Sequence, residues 1–230
     1  MEQQTHRPPH LFEDNAIYFL TGRTYFGFPH LKNDMVKKYF LEKVIQTKEK
    51  YNFQLFGWVI LDNHYHILVR FGVAQFIARF IKELHGATAH YVGKINFATP
   101  IAPNYLREFY AGLTPFEQRQ WERMQRELKF ATPDLSTGVA PTGIAQFIVR
   151  IKPRPVWYQY FDTIIRSEHD FYAHLNYIHQ NSVKHGYTEE MREFKFSSYE
   201  FYRKTKGKEW LADCFRKYPI VDFEPKGDAE

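Results

Sequence analysis

The sequence predicts an α+β domain: a ferredoxin-like (split βαβ) antiparallel sheet with helices on one face, plus an insertion. Three observations predict it. Strand-like and helix-like stretches follow the order β-α-β-β-α, break, and resume as β-α, which is close to the split βαβ pattern. The polar pair Asp62-Asn63 between two β-rich runs reads as the turn of a hairpin. The break, 97–154, is punctuated by Pro100, Pro103, Pro115, Pro133, Pro141 and Pro153 and reads as an insertion.

Taken in order, residues 1–14 are a polar, proline-containing lead-in. Residues 16–23 (AIYFLTGR) are rich in β-formers and read as a first strand. Asn33 or Asp34 can cap a helix running to about residue 51, with Val36, Phe40 and Val44 at helical spacing. Residues 53–61 and 64–71 are the two hairpin strands. Residues 73–95 form a second helix carrying Phe76, Ile77, Phe80, Ile81 and Leu84 on one face, weakened slightly by Gly86. Within the insertion, Thr114-Pro115-Phe116-Glu117 matches a capping box with proline at the first helical position. The helix it predicts, 116–131, carries Arg119, Arg123 and Arg126. A strand over 156–166 then leads to a helix over 168–184, closed by His185-Gly186. The remainder predicts a short helix over 198–204 and a basic tail. Residues 15–230 thus read as a single domain.

Bulk composition narrows the function classes. The 230 residues are 44% hydrophobic and 25% charged, a soluble globular balance rather than a disordered one. Aromatic content is 18%; such rings fill cores but also stack on unpaired bases. Lys and Arg outnumber Asp and Glu 31 to 26, which is compatible with a nucleic-acid partner. Cys214 is the single cysteine, which excludes an internal disulfide and a cysteine-rich zinc site and suits a cytoplasmic location. There is no apolar run of membrane-spanning length, so no membrane partner is expected.

Two constellations carry chemistry. In His64-Tyr65-His66 the histidines are i and i+2 on a strand, so both imidazoles point to one face and can share a divalent metal. The same pair also fits two solvent-facing histidines on a half-exposed strand. Its position, opening an otherwise apolar strand just past the hairpin turn, asks for a reason. In YIHQNSVK, Tyr177, Asn181 and Lys184 fall at i, i+4 and i+7 and share one helical stripe, with His174 a turn upstream. Phe171, Leu175 and Ile178 form a separate apolar stripe that can pack on the sheet. A phenol, an amide and an ammonium would then project from one polar edge. Spacing alone is equally compatible with a solvated helix face.

Together the two segments resemble a known family. DNHYHILV resembles the His-hydrophobic-His motif of the HUH nucleases. WYQYFDTIIRSEHDFYAHLNYIHQNSVKHGY resembles the tyrosine helix of the insertion-sequence (IS200-like) single-tyrosine transposases. Within them, Tyr177-Ile178-His179-Gln180-Asn181-Ser182-Val183-Lys184 is similar to the Tyr-Ile-His-x-Asn-Pro-Val-Lys signature of REP-associated tyrosine transposases. The resemblance spans roughly 16–96 and 156–205. Asp62 and Ser182 stand where the family usually has proline, and Tyr65 is bulkier than the usual Val or Leu. The insertion has no recognised counterpart.

The resemblance implies a metal-dependent enzyme that cleaves single-stranded DNA and transfers the strand, as in DNA transposition. Tyr177 would be the nucleophile and form a 5′-phosphotyrosine. His64, His66 and Asn181 would bind Mg²⁺ or Mn²⁺. It implies a single-stranded DNA hairpin as partner and either a monomer or a homodimer. Arg23, Arg70, Lys152, Arg154 and Arg166 form a plausible phosphate track, although each is individually an ordinary surface charge. Lys184 can hold phosphate or the phenolate, or simply complement the helix dipole. Trp157 and Tyr158 can stack bases, with core packing expected for one of them. The alternative reading is a non-catalytic ferredoxin-like nucleic-acid-binding module using exposed sheet aromatics. A structural metal-binding protein is a third reading, and it lacks the further ligands of a closed zinc site.

Overall fold

A computed structural model describes residues 13–98, 156–221 and 223. The expected insertion helix over 116–131, Lys152, Arg154 and nearly all of the lead-in lie outside the described residues. The elements are β1 (Ile17–Thr24), α1 (Asp34–Lys50), β2 (Phe53–Ile60), β3 (His64–Phe71), α2 (Phe76–Ala98), β4 (Trp157–Ile165), α3 (Glu168–Lys184), α4 (Tyr199–Lys206) and α5 (Lys208–Lys217). One-turn helices lie at Tyr25–Gly27 and Met191–Glu193.

The four strands form one sheet in the order β2-β3-β1-β4, with every neighbouring pair antiparallel. This is the split βαβ arrangement with both hairpin strands on one side of β1. The two central strands, β1 and β3, carry the residues of interest. They are in register with Thr21 opposite His66 and Arg23 opposite His64. Segment 196–198 protects the β2 edge: Ile60 N–H donates to Phe196 O, and Ser198 N–H donates to Trp58 O.

Strand alternation sorts the core into two layers. Tyr18, Leu20, Tyr65, Ile67, Val69 and Phe71 face α1 and α2, where they pack with Phe40, Val44, Ile77, Phe80 and Leu84. Phe19 and Leu68 face the other side, where they pack with Val59, Leu61, Leu175 and Ile178. Helices on one face therefore describes α1 and α2, while α3 covers the opposite face. The reason lies in the strands themselves. Phe19, Val59, Leu61 and Leu68 are apolar on that face too, and burying them requires a cover, which the Leu175/Ile178 stripe supplies.

Local signals set the helix bounds. Asn33 caps α1 by accepting from Met35 N–H, and Ser167 caps α3 by accepting from Asp170 N–H; each cap contributes about 1 kcal/mol. In α3, Glu168 and Asp170 sit at the positive end of the helix dipole and Lys184 at the negative end. Gly186, at φ 68, ends the helix as expected. The C-terminal region holds more order than a basic tail. Gly207, at φ 91, turns the chain from α4 into α5, which buries Leu211 and Cys214. Asn176 Nδ2 donates to Cys214 O and Tyr218 O and so fastens α5 to α3. Among the described residues, no helix is long and apolar enough to cross a membrane.

Candidate active site

His64 and His66 share the α3 face of β3 because they are two residues apart, and Tyr65 between them points into the α1/α2 layer. The imidazole centroids are 5.1 Å apart at 75°. Facing them, α3 brings the ring of Tyr177 edge-on to His66 at 5.2 Å. The helix and the hairpin are far apart in sequence, and the apolar packing of α3 against β2 and β3 unites them. Phe19 on β1 completes the floor, stacked on His66 at 5.1 Å and edge-on to Tyr177 at 6.0 Å.

Each imidazole is held from behind. Thr21 Oγ1 lies 2.8 Å from His66 Nδ1, directly across the β1–β3 pair. Asn63 Oδ1 lies 2.7 Å from His64 Nδ1. When Nδ1 donates to these oxygens, Nε2 carries the lone pair, so Nε2 is the atom each histidine offers to a metal. The turn holding Asn63 is tied down as well. Thr24 N–H and Oγ1–H both donate to Asn63 O, and Lys37 Nζ forms a 2.6 Å ion pair with Asp62.

At Tyr177 and Asn181 the polar edge of the tyrosine helix is not the solvated face that spacing alone also allows. Tyr177 is 1% exposed, and Asn181 and His174 are buried with it. His174 Nδ1 donates to Asp170 O and lies 2.9 Å from Asp170 Oδ1. Burial lowers the pKa of His174 and the Asp170 contacts partly offset that. Phe223 stacks on His174 at 3.6 Å and meets Tyr177 edge-on at 5.5 Å. His179 faces away from this pocket, donating to or accepting from Ser198 Oγ at 3.1 Å, and burial lowers its pKa to about 3. At the open end of the site, Lys184 Nζ sits 5.1 Å from the Tyr177 ring centroid and the His185 ring 5.0 Å from that of His64.

The expected site residues therefore divide. His64, His66, Tyr177 and Lys184 come together, with Asn181 one helical turn from Tyr177 on the same stripe. Arg23 joins them, half-buried and directly opposite His64. Arg70 does not: it is six residues along β3, about 20 Å away, with its guanidinium over the Phe56 ring. Arg166 is also at that far end, in a two-pronged ion pair with Glu13. Thr21, Asn63, His185 and Phe223 were not singled out by the sequence. Asn63 carried a signal, as the polar residue preceding the pair. A threonine in an apolar strand and a tail phenylalanine carried none.

The donor set suits a divalent cation. Both the Nδ2 and the Oδ1 of Asn181 are fully buried with no hydrogen-bond partner among the described residues. A buried amide in that condition costs about 1–3 kcal/mol, which a ligand to Oδ1 would offset. Among the described residues no three His, Cys, Asp or Glu side chains gather as a metal group. Two imidazoles and one amide oxygen on a shared divalent cation would leave positions open for phosphate and water, unlike a closed structural cage.

Among known proteins, the family model described as IS200-like transposase matches residues 28–105, a segment that includes His64 and His66. More particularly, the chain is 27% identical over 217 residues to a protein from Haemophilus influenzae described as a REP-associated tyrosine transposase, covering 91% of this chain and 96% of that protein. A solved REP-associated tyrosine transposase, bound to a REP hairpin, superposes with TM-score 0.53 at 15% identity, covering 98% of each chain. A solved transposase from Deinococcus radiodurans R1 aligns with 56% of this chain and 99% of its own, at TM-score 0.30 and 17% identity.

Proposed function

We propose that this chain is a metal-dependent, single-stranded DNA endonuclease and strand transferase that works through a 5′-phosphotyrosine at Tyr177. The observation that supports this reading most is convergence. The Tyr177 ring from α3 lies 5.2 Å from that of His66 on β3, whose own neighbour His64 is 5.1 Å from it, in a pocket walled by Phe19. The similar proteins described as transposases, one of them solved with a DNA hairpin, favour DNA as the substrate.

The chemistry balances without a nucleotide cofactor. The Tyr177 oxygen attacks the scissile phosphorus as its phenolic proton passes to solvent or a base. The Tyr177 O–P bond forms, the P–O3′ bond breaks, and the 3′ oxygen leaves as a hydroxyl after taking a proton. Attack by a 3′-hydroxyl on the phosphotyrosine reverses the step and rejoins strands. His64 Nε2, His66 Nε2 and Asn181 Oδ1 would hold Mg²⁺ or Mn²⁺, which neutralises charge on the phosphate when bound. Thr21 and Asn63 orient the imidazoles. The Lys184 ammonium over the Tyr177 ring stabilises negative charge as the phenol ionises. Arg23, opposite His64, is placed to hold a neighbouring phosphate.

The test is to incubate the full chain with end-labelled single-stranded hairpin oligonucleotides and Mg²⁺ or Mn²⁺, with and without chelator. A covalent protein–DNA adduct that requires metal and maps to Tyr177 by mass spectrometry is the expected result. Binding of hairpin DNA without any adduct, across metals, would instead favour a non-catalytic binding module.

A further inference from the structure

Trp157 and Tyr158 are neighbours in sequence with opposite fates. Trp157 is 9% exposed, stacked on the His85 ring at 4.1 Å, and donates from its indole N–H to His85 O. Tyr158 is 60% exposed. The cause is a β-bulge: Thr24 pairs with Trp157 and Arg23 with Gln159, so the ladder skips Tyr158 and its side chain leaves the normal alternation. The exposed ring is not alone. Tyr25, at the end of β1, lies 6.1 Å away with its plane tilted by 48°.

We propose that Tyr158, backed by Tyr25, is a stacking platform for one unpaired base of the DNA strand held at Tyr177. The proposal rests on the DNA-cleaving reading above and adds to it where the strand runs. The bulge is at the end of the sheet where Arg23 lies opposite His64. From β4 to β3 is two strand spacings, about 10 Å. That is about three nucleotides at stacked spacing. Arg23 stands on the strand between the platform and the histidines and can hold the intervening phosphate. A bulge next to a site re-aims a side chain, and here it aims a large ring outward where burial would otherwise be favoured. A nucleobase fits a surface of one tyrosine backed by another, and stacking accepts any base because every base has a π face.

The test uses the full-length chain in chelator, so that binding is read without cleavage. Fluorescence anisotropy would measure affinity for a hairpin with a single-stranded flank. The same flank would also carry an abasic nucleotide at each position in turn. Tyr158→Ala should weaken binding to the intact strand about 10-fold, with Tyr158→Phe close to wild type. One abasic position should weaken wild type by a similar factor and leave Tyr158→Ala unaffected. Equal affinity of Tyr158→Ala and wild type for the intact strand would overturn the platform. So would an equal further loss in both proteins at every abasic position. Adduct formation on adding Mn²⁺ to parallel samples reports on the cleavage reading separately. An adduct without the abasic pattern sinks only the platform, and the pattern without an adduct sinks only the cleavage reading.

Discussion

Thr21 and His66 face each other across the central strand pair, with the threonine hydroxyl 2.8 Å from His66 Nδ1. This contact orients the imidazole that also meets Tyr177. Thr21→Val keeps the β-branched shape and removes the hydroxyl. Mn²⁺ affinity should fall about 10–100-fold, as expected for loss of an outer-shell partner. Titration calorimetry would show it, with the thermal midpoint nearly unchanged. An unaltered affinity would mean that the contact does not orient a metal ligand.

Gly22 pairs with Tyr65 in the ladder, and the Tyr65 ring lies across its Cα. A Cβ added at Gly22 would fall within that ring. Gly22→Ala should therefore destabilise the domain by about 1–3 kcal/mol through overpacking. Tyr65→Leu in the same chain should recover part of that loss, since the two substitutions share one contact. Urea denaturation of the two single variants and the double variant would measure the coupling, and strict additivity would refute it.

Lys37 and Asp62 form an ion pair with side-chain exposures of 5% and 18%. Asp62→Ala leaves the ammonium buried without its carboxylate and should cost about 3–5 kcal/mol. A double Lys37→Met, Asp62→Ala variant should be markedly more stable than Asp62→Ala alone. Because Asp62 adjoins Asn63 and His64, the single variant should also weaken Mn²⁺ binding. Chemical denaturation and metal titration on the same samples would check both.

His179 is buried within α3, and burial lowers its pKa to about 3 from an ordinary 6.5. The folded state therefore holds it neutral while the unfolded chain takes up a proton below about pH 6.5. Its contribution to stability is complete above that pH and is lost as pH falls towards 3. The slope it contributes is about 1.4 kcal/mol per pH unit. His179→Gln should flatten the dependence of stability on pH between 6 and 4 by about that amount. An unchanged slope in urea midpoints would show that His179 does not titrate differently on unfolding.

Much of this was legible in the sequence. The period-two spacing of His64 and His66 and the four-residue spacing of Tyr177 and Asn181 each fix a shared face, because strand and helix geometry leave no alternative. The caps Asn33 and Gly186 mark helix ends through local hydrogen bonding and φ, which neighbouring residues encode. What was not legible depends on tertiary packing. No local pattern says that α3 crosses to the face opposite α1, that Tyr177 is buried there, or that Arg166 finds Glu13 far along the chain. The α5 helix was missed because its charged residues mask a short apolar stripe of Leu211 and Cys214.

The Tyr177 ring beside His66 is most directly tested by comparing wild type with Tyr177→Phe on one hairpin substrate in Mn²⁺. Covalent attachment would be read on a denaturing gel and affinity by anisotropy. The phenol's placement predicts an adduct with wild type alone and equal DNA affinity for both proteins. An adduct that persists in Tyr177→Phe would contradict it, because a different side chain would then be forming the bond.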